Sequence, residues 1–157
     1  MARAVRVGEA PIMSTWLQTE AEKAFGRATR SHARARLVSH LRRCGGACLR
    51  LAVAEPAAPG RGFPARSGRG VREIPLESIT GTLEPHRAEQ FDPAFRPAAI
   101  VRERWQRVWL AEARGAVLPP ISVVPAGDGF AVRDGHHRVS VALARGAVTI
   151  DAVVSAG

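Results

Sequence analysis

The run Val132-Arg133-Asp134-Gly135-His136-His137-Arg138-Val139-Ser140 gathers the side chains of this chain best suited to chemistry. It reads as a strand, a glycine turn and the first turn of a helix. A glycine at a helix N-terminus lets a ligand approach the backbone, and the free N–H groups there favour an anion. Arg138 adds a fixed charge with forked donors that match phosphate. The chemistry suggested is recognition of a phosphate-bearing ligand, most simply a nucleotide, by Asp134, Gly135, His136, His137 and Arg138. The plainer alternative is an Asp-Gly turn made for backbone reasons, with Asp134 as a helix cap. Arg138 beside two histidines tips the balance, because positive charge at a helix start is relieved by an anion. A metal site is not expected: neighbouring histidines on a helix point about 100° apart.

The elements that must position this run can be read on either side of it. The strand is Gly129–Arg133, with Phe130 and Val132 alternating against polar neighbours. The helix carries Val139, Ala142 and Leu143 on one face and stops at Gly146. Upstream lie a strand over Ile74–Ile79 and a helix from about Ala99 to Arg114. That helix spaces Val101, Trp105, Val108, Trp109 and Glu112 helically, and the two tryptophans read as core rather than as platforms for a base. Gly115 ends it, and Pro119-Pro120 sets the entry to a strand at Ile121–Val124. Thr149–Val154 forms the last strand. The order β-α-β-β-α-β predicts an α+β fold with a small mixed sheet and packed helices, preceded by an N-terminal helical segment. The expected core is Ile74, Leu76, Ile79, Trp105, Val108, Ile121, Val123, Phe130, Val132, Val139, Ala142, Leu143, Ile150 and Val153.

The chain divides into a basic helical segment (1–54), a Pro/Gly/Arg-rich linker (55–71) and the α+β domain (72–157). Within the first part, residues 14–43 read as helix. Thr15 and Gln18 suggest a capping box, and Gly26 suggests a break into two helices. Leu17, Ala21, Ala24, Phe25 and Ala28 share one face, as do Leu37, Val38 and Leu41. Arg30, Arg34, Arg42 and Arg43 lie opposite. That face suits an acidic protein or a nucleic acid, but the favoured reading is a solvated face whose apolar stripe packs on the main domain.

The net charge of +9 is uneven. Residues 1–72 carry 14 basic and four acidic side chains, and residues 73–157 carry nine and ten. All basic residues but Lys23 are arginine. With abundant Ala, Gly and Pro, this matches the coding bias of a GC-rich genome, which weakens the charge as evidence for nucleic acid. Cys44 and Cys48 make a poor zinc site without further ligands. No apolar run is long enough to span a membrane and no secretory leader is evident, so a cytoplasmic protein with reduced thiols is expected.

Taken in order, Ile74-Pro75-Leu76-Glu77-Ser78-Ile79, an arginine soon after it, Gly115 through Val123, Gly129-Phe130-Ala131-Val132, and Gly135-x-x-Arg138-x-x-x-Ala142 resemble the ParB/sulfiredoxin superfamily over residues 72–154. The resemblance implies that Gly135, His136, His137 and Arg138 form a box that holds nucleotide phosphates. It also implies that Arg87 is the phosphate-binding arginine after the first strand. The implied function is a stand-alone nucleotide-binding module, acting as a switch or slow NTPase on a nucleoside di- or triphosphate with Mg²⁺. The alternative is a small phosphotransferase similar to free-serine kinases, with Glu77 or Glu84 as its base. DNA association through the basic arm is a third reading. In sulfiredoxins the box carries a nucleophilic cysteine where this chain has His136, so reduction of a sulfinic acid by that route is not expected. The helix-turn-helix that follows this domain in partition proteins is not found before Gly157.

Overall fold

The computed structural model describes residues 11–41, 50–55 and 70–155. Cys44, Cys48, Arg42, Arg43 and most of the expected linker lie outside the described residues.

Helix α1 runs without interruption from Pro11 to Leu41. Proline fits the first turn of a helix, where its missing N–H has no partner to lose. Thr15 is therefore inside α1 and not its cap; its carbonyl accepts the Thr19 hydroxyl at 3.0 Å. Gly26 does not break the helix, because the residues around it are held by packing. Ala21, Ala24 and Phe25 are buried. Phe25 meets the ring of Trp105 edge-on at 5.4 Å, and the guanidinium of Arg102 lies over its face. The apolar stripe is core only over this stretch, since Leu37, Val38 and Leu41 are exposed.

Six strands follow in one mixed sheet: β1 (Ala52–Val53), β2 (Val71–Pro75), β3 (Ile79–Thr82), β4 (Ile121–Ala126), β5 (Gly129–Asp134) and β6 (Thr149–Val154). Their spatial order is β1-β3-β5-β4-β6-β2. The single strand expected over Ile74–Ile79 is in fact two strands on opposite sides of the sheet. β2 pairs antiparallel with β6, and β3 pairs parallel with β5. Pro75 has no N–H to continue a ladder, and Leu76–Ser78 make a 3₁₀ turn. The Ser78 hydroxyl donates to the Pro75 carbonyl at 2.6 Å, closing that turn. β1, too short to show a period, adds an edge strand beside β3 and brings the buried Leu51 into the core.

Helix α2 (Arg102–Ala113) enters through a 3₁₀ turn at Ala99–Val101. Helix α3 (His136–Ala144) follows β5 after one residue. The two helices are joined where Trp105 Nε1 donates to Ser140 Oγ at 2.9 Å. Trp105 is fully buried, whereas Trp109 is half-buried with Arg145 stacked over it. α3 stops at Gly146, whose φ of +77° reverses the chain into β6. The resulting α+β architecture is the expected class. Its core includes Trp105, Ile121, Val123, Val132, Val139 and Ala152. Two expected core residues fall outside it. Leu143 is 38% exposed, and Val153 points to the face opposite the buried Ala152, as the two-residue period of a strand requires.

Because Phe25 packs on Trp105, helix α1 is part of the core. Phe25→Ala is expected to destabilise the protein by about 3–5 kcal/mol, the usual range for truncating a buried aromatic. Val38→Ala, on the exposed end of the same helix, is expected to change stability by less than about 0.5 kcal/mol. Urea unfolding of both variants checks the contrast; equal effects would show that the two ends of α1 are packed alike.

Candidate functional site

The β5–α3 turn is built on Gly135. Its φ of +104° lies in the left-handed region, and a Cβ placed there would stand 2.5 Å from Ile121 Cγ2. No L side chain fits this position. Gly135 is the N-cap, and Asp134 makes no capping bond. The helix-cap role for Asp134 is thereby replaced by another: its carboxylate pairs with Arg138 Nη2 at 3.1 Å. Arg138 Nη1 donates to the Pro119 carbonyl. The guanidinium thus bridges the β5–α3 turn to the segment entering β4, with its side chain only 14% exposed.

The two histidines diverge as adjacent helical residues must, yet both are buried against Phe91. The His136 ring stacks on Phe91 at 6.2 Å, and the His137 ring meets it edge-on at 5.3 Å. His136 Nε2 lies 2.7 Å from Thr82 Oγ1, which also accepts the Glu84 N–H at 2.9 Å. His137 is 5% exposed and has no hydrogen bond among the described residues. Its ring opens onto a cleft of about 190 Å³.

That cleft brings together Arg87, Asp134, Gly135, His136, His137 and Arg138, and adds Arg104, Val108, Leu118 and Pro119. Arg87 stands on a 3₁₀ turn (Pro85–Arg87) and donates to Gln90 Oε1 at 2.7 Å. Arg104, from the first turn of α2, has no hydrogen bond or ion pair among the described residues. Three guanidinium groups and one carboxylate therefore face the N-terminus of α3. Burial, then the charge of Arg87 and the neighbouring His137, push the His136 pKa down to about 4. Burial, then Arg104 and Arg87, do the same to His137. Burial also lowers the pKa of Arg138 below its ordinary value. Both imidazoles are neutral at pH 7, and the positive charge of the site resides on the arginines. Among the described residues no group of three or more His, Cys, Asp or Glu could hold a metal ion.

Glu77 and Glu84 are not brought to the cleft. Glu77 sits exposed in the turn after β2. The Glu84 carboxylate pairs with His86 at 3.3 Å, although its backbone is tied to Thr82. Arg104 and Thr82 were not among the residues singled out from the sequence. Arg104 could have been found from Trp105: once that ring faces the core, Arg104 and Val108 flank it on one strip of α2. Thr82 carries no local signal, because its partner His136 is 54 residues away.

No family model matches the chain, and no curated protein matches it. Among solved structures it is similar to sulfiredoxin from Arabidopsis thaliana, with 20% identity and a TM-score of 0.41. The match covers 56% of this chain and 86% of that one. No helix among the described residues is long and apolar enough to cross a membrane.

The buried histidines make stability depend on pH. Their folded pKa values near 4 lie below the ordinary 6.5, so the unfolded chain binds more protons between those limits. Their contribution is complete above about pH 6.5 and is lost as pH falls towards 4. The midpoint of thermal unfolding is expected to drop between pH 7 and pH 5, and to drop less in a His136→Gln/His137→Gln variant. Identical pH profiles for the two proteins would show that neither ring is held neutral by the fold.

Proposed function

We propose that this chain is a ParB/sulfiredoxin-like module whose cleft binds the phosphate groups of a nucleoside di- or triphosphate. The observation that carries this reading is the charge balance of the cleft. Arg87, Arg104 and Arg138 converge on the N-terminus of a nine-residue helix, and among the described residues Asp134 is the one acidic residue lining the same space. A helix N-terminus presents unpaired N–H groups, and Gly135 lets an anion come close to them. His137 adds a buried imidazole with no hydrogen-bond partner among the described residues, able to donate to a phosphate oxygen in one tautomer. Arg104 adds a cation that nothing in the described protein neutralises.

The donor set fits phosphate better than it fits a protein-held metal. Asp134 is already held by Arg138, so Mg²⁺ would be kept mainly by phosphate oxygens, as is usual for this ion. When bound, it would neutralise part of the phosphate charge. The chain's own residues orient the anion: Arg138 is fixed by Pro119 and Asp134, and Arg104 approaches from α2.

A binding module is preferred to a phosphotransferase for one reason. Transfer to a hydroxyl needs a base placed on the acceptor. Neither Glu77 nor Glu84 lines the cleft, and a histidine with a pKa near 4 is a weak base at neutral pH.

Calorimetric titration of the full chain with ATP, ADP, CTP and GTP, with and without Mg²⁺, tests the proposal. Arg104→Ala is expected to weaken binding by about tenfold, corresponding to ~1.4 kcal/mol for one charge-assisted contact. Arg138→Ala is expected to cost about one to two decades, and Arg138→Lys to recover part, since a point charge cannot replace the fork. Unchanged affinity in both alanine variants, with circular dichroism preserved, would place any phosphate site elsewhere.

A further inference from the structure

Resting on the reading above, we infer that the cleft recognises a linear polyphosphate chain and is indifferent to the base attached to it. Three observations carry this. The first is size. At about 190 Å³ the cleft is smaller than the roughly 300–1,000 Å³ of pockets that enclose a drug-sized ligand. It has room for phosphate groups at the helix terminus, and a nucleoside joined to them would lie outside.

The second is the lack, among the described lining residues, of an exposed aromatic face on which a base could stack. Proteins commonly bind bases by stacking them on aromatic rings or by hydrogen-bonding their edges. Apart from His136 and His137, which are 3% and 5% exposed, no aromatic ring lines it among the described residues. Phe91, whose ring packs on both His136 and His137, is 1% exposed. The apolar lining residues are Val108, Leu118 and Pro119, none of which presents a π face.

The third is the chemistry of the polar groups. Reading adenine or cytosine by its exocyclic amino group requires a fixed acceptor, because a buried unmatched group is what penalises the wrong base. Among the described residues Asp134 is the one side-chain carboxylate of the cleft, and Arg138 engages it. His136 is turned onto Thr82. What is left facing the ligand is Arg87, Arg104, the guanidinium charge of Arg138, His137 and the backbone N–H groups of the helix start. Every one of the arginines is a donor only. Such a set senses negative charge and phosphate geometry, which are the same in every nucleoside triphosphate and in inorganic triphosphate.

The test is a single calorimetric series on the full chain at matched free Mg²⁺, using inorganic triphosphate, ATP, GTP, CTP and UTP. The expected result is that all five bind within about fivefold of one another, a spread worth roughly 1 kcal/mol. Arg104→Ala should weaken all five in parallel, whereas Arg30→Ala, on the exposed face of α1, should leave them unchanged. A preference of more than about fivefold for one base, or for nucleotides over inorganic triphosphate, overturns this inference and leaves phosphate binding standing. Binding that weakens in Arg30→Ala but not in Arg104→Ala assigns the polyphosphate to the basic arm and overturns both. Failure of all five ligands to bind overturns both as well.

Discussion

The close approach of Gly135 to Ile121 is the contact on which the site depends. A strand cannot turn directly into a helix over the edge of a buried isoleucine unless the residue at the corner has no side chain and accepts a positive φ. Gly135 meets both conditions, and several features follow. The helix begins at once, so His136 and His137 are carried inward to Phe91 rather than left on a loop. Arg138 comes back over the turn to reach Asp134 and the Pro119 carbonyl. The first N–H groups of α3 are left facing a cleft instead of being capped by a side chain. A residue with a Cβ at this corner would shift the entire group, because these contacts share one rigid turn.

The electrostatics of the cleft differ from what a string of basic residues suggests. Two histidines beside an arginine look like a dense cluster of titratable charge. Burial makes them neutral, and neighbouring arginines reinforce that effect. The site therefore keeps a fixed charge across the physiological range. It also separates two roles for arginine. Arg138, fastened at both ends, gives the turn its shape. Arg104 has no such attachment, so its charge is available to a ligand. The basic character of α1 is a separate matter: Arg27, Arg30, Arg34 and Arg36 are exposed on that helix, and none of them lines the cleft.

Much of this arrangement was legible in the sequence where the cause was local. The strand at Phe130 and Val132, the glycine corner and the helix ending at Gly146 are each set by residues within a few positions, and each is found as expected. Arg87 joins the cleft with the Asp-Gly-His-His-Arg run. What the sequence concealed depends on distant partners. Ile74–Ile79 looks like one strand because its apolar residues continue through Pro75. Only its neighbours show that β2 and β3 belong to opposite sides of the sheet. Gly26 looks like a helix break until Phe25 is seen against Trp105, since tertiary packing outweighs a propensity cost of about 1 kcal/mol. Thr82 cannot be connected with His136 by any spacing rule. The glutamates illustrate the opposite error: their residue type suited a base, but their positions in the turns around β3 keep them off the cleft.

The pairing of α2 with α3 explains why Arg104 belongs to the site at all. Trp105 is anchored in the core and donates to Ser140 on α3, one turn beyond His136. That bond fixes both the height and the rotation of α2 relative to the start of α3. Arg104, the residue preceding Trp105, is thereby held at the rim of the cleft even though its own side chain is exposed and without a hydrogen-bond or ion-pair partner among the described residues. Arg145, near the other end of α3, reinforces the same alignment through Glu112 and the face of Trp109. The tryptophans thus contribute to the cleft as core residues, without touching a ligand. Their packing brings a cation from one helix and the N-terminus of another to a single cleft.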